Sequence, residues 1–179
     1  VLLNKKRLAL LYELAGRNQE ALDYYLQALE IESRRNIYDG MLKSNRSIAY
    51  HHLQLGHYDE AIDYAKEAMS ILESGRVERS SSDPLYVKLG LLGLQFPVPY
   101  DLRRLGVKSS FDLTTEEEEA YIYTLLALAY TQSKRYDEAI VYYEKKLAMY
   151  RKRHDHEGQA VFYNNEGYIH FIRGDYKNA

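Results

Sequence analysis

The sequence has no cysteine, no tryptophan and only three prolines in 179 residues. The lack of cysteine excludes disulfides and thiolate metal sites, although it leaves the redox compartment open. No apolar run approaches the roughly 20 residues that a membrane-spanning helix needs. Residues 1–14 do not resemble a secretory signal, because three basic side chains interrupt the apolar residues and no cleavage site follows. We therefore expect a cytoplasmic protein without a membrane partner.

An excess of charge of one sign is also lacking. The 24 Lys and Arg residues nearly balance the 26 Asp and Glu residues, and the formal net charge is −2. Short basic clusters occur at 4–7, 34–35, 103–104 and 151–153, but they lack the interleaved pattern of a groove-reading surface. The net charge of the chain therefore does not favour binding to nucleic acid, and we expect no nucleic-acid partner.

Tyrosine, by contrast, is abundant: there are 19 Tyr and only 4 Phe. A ring that carries a hydroxyl suits half-buried positions, with its face packed and its oxygen near water. So many such positions predict a thin, elongated fold with much shallow surface. The sequence does not begin with Met and ends at Ala179, where the pattern described next predicts the start of a helix. We interpret it as a segment of a longer protein.

A six-residue phrase recurs four times along the chain. Its copies are "GRNQEA" at 16–21, "GHYDEA" at 56–61, "KRYDEA" at 134–139 and "GDYKNA" at 174–179. The final alanines are 40, 78 and 40 positions apart. A period of this size is typical of stacked-repeat proteins.

Further positions recur in the same register. Twelve residues before each final alanine stands a small residue, and three residues after that stands an aromatic ring. The small residues are Ala9, Ala49, Ala127 and Gly167, and the rings are Tyr12, His52, Tyr130 and His170. This helical spacing predicts two helices per unit, which the small residues allow to pack closely. The glycine of the phrase ends the first helix in a left-handed conformation, and Lys134 replaces it in the third copy at some cost.

These positions together, as in "IAYHHLQLGHYDEAIDYAKEAMSIL" at 48–72, resemble the tetratricopeptide repeat. The resemblance implies an all-α fold, a right-handed superhelical solenoid of stacked antiparallel helix pairs. Because the minimal repeat has about 34 residues, the longer period implies longer helices or a longer connection between units. The resemblance covers residues 2–35, 42–73, 120–153 and 160–179.

Residues 74–119 interrupt the repeat pattern. We expect two repeats over 1–73, an irregular insertion or degenerate repeat over 74–119, and one complete repeat plus a truncated one over 120–179. Pro97 and Pro99 stand where a turn and second helix would begin, and proline inside a helix costs about 3 kcal/mol.

Three interpretations of this middle part stay open. The first is a tolerated insertion over residues 74–115. The second is that the apolar stretch 85–100 docks on the superhelix and covers part of its groove, because exposure of so many apolar side chains is unfavourable. The third is a phosphorylation switch at Ser80, Ser81 or Ser82.

No catalytic motif is present. The sequence lacks a zinc-protease helix motif, a phosphate-binding glycine loop and a nucleophile elbow. His154 and His156 beside Asp155 could hold a metal weakly, but a solvated turn is the favoured interpretation. The acidic run at 116–119 is interpreted as a solvated helix start. We therefore expect no enzymatic activity, no cofactor and no metal.

The first helices of stacked pairs line the concave face of such solenoids. The resemblance implies that positions three before, one after and four after the small residue face this groove. They are Lys6, Leu10 and Glu13, then Arg46, Tyr50 and Leu53, then Thr124, Leu128 and Thr131, and finally Asn164, Tyr168 and Phe171. Such a groove is basic toward one end and aromatic toward the other, which suits a peptide with apolar anchors and some acid. The chaperone-tail clamp known in this family carries Asn directly after the small residue, and none of the four units has it.

The leading hypothesis is a non-catalytic scaffold that binds a protein or peptide segment in this groove. The alternative is a ligand-sensing or regulatory segment of a larger signalling protein or transcription regulator, which the 40-residue spacing and the many tyrosines also resemble. Self-association through the truncated C-terminal repeat is a third hypothesis.

Overall fold

The computed structural model describes residues 1–77 and 115–174, and every regular element in these two ranges is an α-helix. The helices are α1 (Leu2–Leu14), α2 (Asn18–Arg34), α3 (Tyr38–Leu55), α4 (Tyr58–Glu73), α5 (Thr115–Gln132), α6 (Tyr136–Lys152) and α7 (His156–Ile172). Units one to three are the pairs α1–α2, α3–α4 and α5–α6, and α7 is the first helix of unit four. The predicted all-α helical repeat solenoid is confirmed.

Short turns connect the helices within each described range. Only Gly56 and His57 separate α3 from α4, and the other turns have three residues. Connections this short make neighbouring helices run antiparallel. Helices α2 to α7 have 16 to 18 residues each. The long repeat period therefore resides in long helices and not in long connections.

The turn between the two helices of a unit uses the predicted left-handed residue. Gly56 has φ 80°, and the His57 N–H then donates to the His52 carbonyl at 2.9 Å. In the third unit Lys134 adopts the same conformation with φ 62°, although it has a Cβ. The second helices then begin with acidic residues in their first turns, which favour the positive end of a helix.

The alanines of the repeat lie at the helix contacts. The six that the structure describes, each at most 2% exposed, are Ala9, Ala21, Ala49, Ala61, Ala127 and Ala139. A larger side chain at any of them would hold two helices apart. Gly167 is only half-buried, and Ala179 lies outside the described residues.

Units two and three are neighbours in the stack although residues 74–114 separate them in sequence. Helix α4 packs directly against α5, and α3 also contacts α5. Ile62 of α4 and Ile122 of α5 belong to one continuous apolar core. Helix α5 begins at Thr115, so the end of the stretch expected to be irregular is helical. The hypotheses on 85–100 and on the serines at 80–82 lie outside the described residues.

Candidate functional site

The twelve predicted groove residues lie at three different depths. Four are buried: Lys6, Leu10, Arg46 and Thr124. Five are half-buried: Glu13, Tyr50, Leu53, Leu128 and Thr131. Three are exposed, and all of these are on α7: Asn164, Tyr168 and Phe171. Within the described residues, the most accessible part of the predicted set is therefore the α7 face.

Lys6 forms an internal ion pair. Its Nζ lies 2.6 Å from Oε1 of Glu32 on α2, and the Glu32 side chain is fully buried. The other Glu32 oxygen accepts a hydrogen bond of 2.6 Å from the Ser44 hydroxyl on α3. Gly40 provides the space, because a Cβ there would lie 2.5 Å from Glu32 Oε1. A buried carboxylate needs such partners, so Glu32 connects units one and two.

Arg46 also has an internal carboxylate partner. Its Nη1 pairs with Oε2 of Glu118 on α5, and both side chains are 5% exposed. The guanidinium lies over the Tyr121 ring, 4.8 Å from the centroid. This pair connects units two and three. A ligand carboxylate that reached Arg46 would have to compete with Glu118.

Glu13 belongs to a polar cluster between units one and two. It accepts a hydrogen bond of 2.7 Å from the Tyr25 hydroxyl, and its Oε2 lies 3.7 Å from Nε2 of His51. His51 is fully buried, and its Nδ1 lies 3.2 Å from the Asn18 side-chain oxygen. The predicted groove residues of units one and two therefore contribute strongly to the fold itself.

Lys146 on α6 is a buried cation that sequence reasoning missed. It is 6% exposed, and its Nζ donates to Thr124 Oγ1 at 2.8 Å. In the register of the repeat it stands where units one and two have Ala28 and Ala68, both 0% exposed. This change from alanine to lysine is visible in the aligned units, and was the signal that could have found it.

A small, largely apolar pocket lies beside Lys146 at the junction of α5, α6 and α7. Its walls are formed by Thr124, Tyr143, Lys146, Tyr150, Val161, Phe162 and Asn165. Burial lowers the pKa of Lys146 to about 8, and the negative charge of Asp155 opposes this shift. Asp155 itself caps α7 by accepting a 2.8 Å hydrogen bond from the Gly158 N–H. Among the described residues, no carboxylate lies within ion-pair distance of Lys146.

Residues 1–77 and 115–174 contain no group of three or more potential ligands that could hold a metal ion. None of the helices in these ranges is both long and apolar enough to cross a membrane.

Comparison with known families agrees with this geometry. A family model described as a tetratricopeptide repeat matches residues 1–74 and 118–179, which is most of the chain. No curated protein and no solved structure matches it. The matched ranges contain six of the seven described helices completely and α5 from residue 118 onward, together with the alanines at their contacts. The chain therefore belongs to the tetratricopeptide repeat family.

Proposed function

We propose that this protein is a non-catalytic scaffold of the cytoplasm that binds a protein or peptide segment in the groove formed by its first helices. The observation that carries the proposal is the pair of aromatic side chains at groove positions of α7. Tyr168 is 57% exposed and Phe171 is 58% exposed. Both stand at groove positions of the repeat, and members of this family commonly act as protein-interaction modules.

The α7 face has the chemistry that peptide recognition needs. Asn164, Tyr168 and Phe171 are separated by four and three residues, so they share one side of the helix. Aromatic side chains supply most of the energy in many interfaces. The Asn164 amide has both a donor and an acceptor for the backbone of an extended segment. Apolar side chains of that segment would contact the two rings.

A random peptide library selected on the intact chain tests the proposal. We expect peptides with apolar anchors to be retained, and Tyr168→Ala combined with Phe171→Ala to weaken their binding at least about tenfold, or about 1.4 kcal/mol. The control is Tyr163→Ala, which removes a 50% exposed ring from the same helix outside the predicted groove positions.

Thermal unfolding of the same variants separates binding from stability. We expect the double variant to unfold within a few degrees of the original chain, since both rings are more than half exposed. Lower thermal stability with unchanged peptide affinity would mean that these rings only pack neighbouring structure, and would contradict the proposal. Retention of no peptide would contradict it as well.

A further inference from the structure

Three cations are buried in the described part of the solenoid, and only two of them have a carboxylate partner there. Lys6 pairs with Glu32 and Arg46 pairs with Glu118. Lys146 has no carboxylate partner among the described residues, although it is buried to a similar degree; its ammonium lies over the Tyr150 ring, 5.4 Å from the centroid. A charge in the interior without an opposite charge beside it is unfavourable, and a ring contact offsets only part of that cost. An alanine at this position, as in the first two units, would avoid that penalty entirely.

The contacts of Lys146 leave part of its hydrogen-bonding capacity unused. An ammonium has three N–H donors, and one of them goes to Thr124 Oγ1. The Thr124 hydroxyl donates its own proton to the Ala120 carbonyl at 2.8 Å, so its oxygen is fixed as an acceptor toward Lys146. Thr124 thereby orients the ammonium in the pocket.

The size of the pocket matches a single oxygen atom, with the Lys146 ammonium at its edge. Its space corresponds to about one water-sized group. The rings of Tyr143 and Phe162 and the side chain of Val161 form apolar walls, which strengthen an interaction between opposite charges by excluding water. A carboxylate, which is flat and narrow, can insert a single oxygen into such a space.

The pocket also shares a face with the proposed peptide site. Val161 precedes Asn164 by three residues and Tyr168 by seven, so all three lie on one side of α7. Seven helical residues span about 10 Å, which an extended segment covers with about three residues. An acidic residue about three positions from an apolar anchor on Tyr168 would therefore reach the pocket.

We infer that Lys146 and Thr124 form a carboxylate-binding pocket, which receives one oxygen of an acidic side chain or of a C-terminus from the segment bound in the groove. This inference rests on the proposed function and specifies the chemistry of its ligand. It assigns the recognition of acid to unit three, because the basic groove residues of units one and two already hold internal carboxylates.

Formate, the smallest carboxylate, tests the pocket without a peptide. Lysine side chains of the intact chain are followed by NMR through a pH titration, in sodium formate and in sodium chloride of equal ionic strength. The Lys146 signal is assigned by its loss in Lys146→Met. We expect formate to raise the pKa of Lys146, because a bound anion favours the charged amine. Lys145, which is exposed on the same helix, should not respond. An equal Lys146 pKa in both salts would overturn the pocket.

Peptides retained by the original chain test the source of the carboxylate. We expect Lys146→Met to weaken acidic peptides about ten- to hundredfold, and the matched variant Lys145→Met to leave them within about threefold. Peptides with Gln or Asn in place of the acid identify a side-chain source, and amidated peptides identify a C-terminal source.

The outcomes separate the two proposals. If peptides bind the original chain and Lys146→Met equally well, the scaffold function stands and the pocket is overturned. If no peptide is retained, the scaffold function fails and the ligand assigned to the pocket fails with it. Thermal unfolding of Lys146→Met confirms that the variant is folded, and we expect it to be at least as stable as the original chain.

Discussion

At the scale of single residues, the main finding is that three cationic side chains, Lys6, Arg46 and Lys146, lie in the interior of the described part. Sequence reasoning assigned Lys6 and Arg46 to ligand recognition, since basic residues are usually found at the surface. In the structure their carboxylate partners Glu32 and Glu118 come from other helices. Such pairs are far apart in sequence, and Arg46 and Glu118 differ by 72 positions. The use of the groove positions for ligand binding remains a prediction.

The burial of Lys146 predicts an unusual pH dependence of stability. The unfolded chain keeps the Lys146 proton up to its ordinary pKa of about 10.5, whereas the folded chain releases it near 8. Between these values the unfolded state binds more protons, so stability rises with pH. Lys146→Met has no such titration. We therefore expect its stability advantage over the original chain to shrink by about 2–3 kcal/mol from pH 7 to pH 10.

Urea unfolding at several pH values measures this difference. Comparing the stabilities of the two chains at each pH cancels the contribution of tyrosine ionisation, because the tyrosines titrate in both chains. Lys145→Met serves as the control, because it removes the same charge from an exposed neighbouring position. A difference between Lys146→Met and the original chain that stays constant from pH 7 to pH 10 would show that Lys146 is not buried as described.

At the scale of helices and turns, sequence and structure agree closely. The small residues Ala9, Ala49 and Ala127 lie at the helix contacts, because helical spacing and side-chain size together specify a close approach. The glycine positions were equally predictable, since few other residues adopt positive φ without strain. The third unit departs from this pattern at Lys134, where the left-handed turn has a side chain.

Lys134→Gly should stabilise the turn between α5 and α6. A residue with a Cβ in the left-handed region costs the folded state about 1–2 kcal/mol. Glycine offsets part of this gain, because it raises the conformational entropy of the unfolded chain and so lowers stability by about 0.4–1 kcal/mol. We expect a net gain of about 0.5–1 kcal/mol in urea unfolding. The reciprocal change Gly56→Lys should destabilise by a similar amount, since a Cβ there would meet only ordinary contact at 3.9 Å. Changes of the same sign in both variants would contradict this explanation.

At the scale of the whole molecule, the contact between units two and three gives the described part its continuity. Solenoid stability is approximately the sum of the units and the interfaces between neighbours. The interface of α4 with α5 joins chain segments that residues 74–114 separate in sequence, and bringing such distant segments together costs entropy. The Arg46–Glu118 pair lies beside this interface on α3 and α5. It is the described ion pair that is most deeply buried between these two units.

Glu118→Gln should therefore weaken the coupling between the two halves. It leaves the Arg46 charge buried without its carboxylate, which costs about 3–5 kcal/mol. We expect hydrogen exchange in α5 to α7 to accelerate more than in α1 and α2, since the ends are less affected by this interface. The urea unfolding curve of this variant should begin to show two transitions in place of one.

A double variant controls for the charge itself. Arg46→Met combined with Glu118→Met removes both charges and keeps apolar volume, so we expect it to recover much of the lost stability. The coupling role of the pair is wrong if the single and double variants are equally unstable, or if exchange accelerates equally in all helices.

The sequence by itself determined the all-α repeat fold, the turns and the alanine contacts. All of these depend on spacing within about forty residues, which local periodicity encodes. Only the tertiary structure decided which charges are buried, and that α4 meets α5 across residues 74–114. It also decided that Lys146 faces Thr124 in a pocket. Those features depend on which side chains from distant segments meet, because a charge is stabilised by its partner and not by its own position in the repeat.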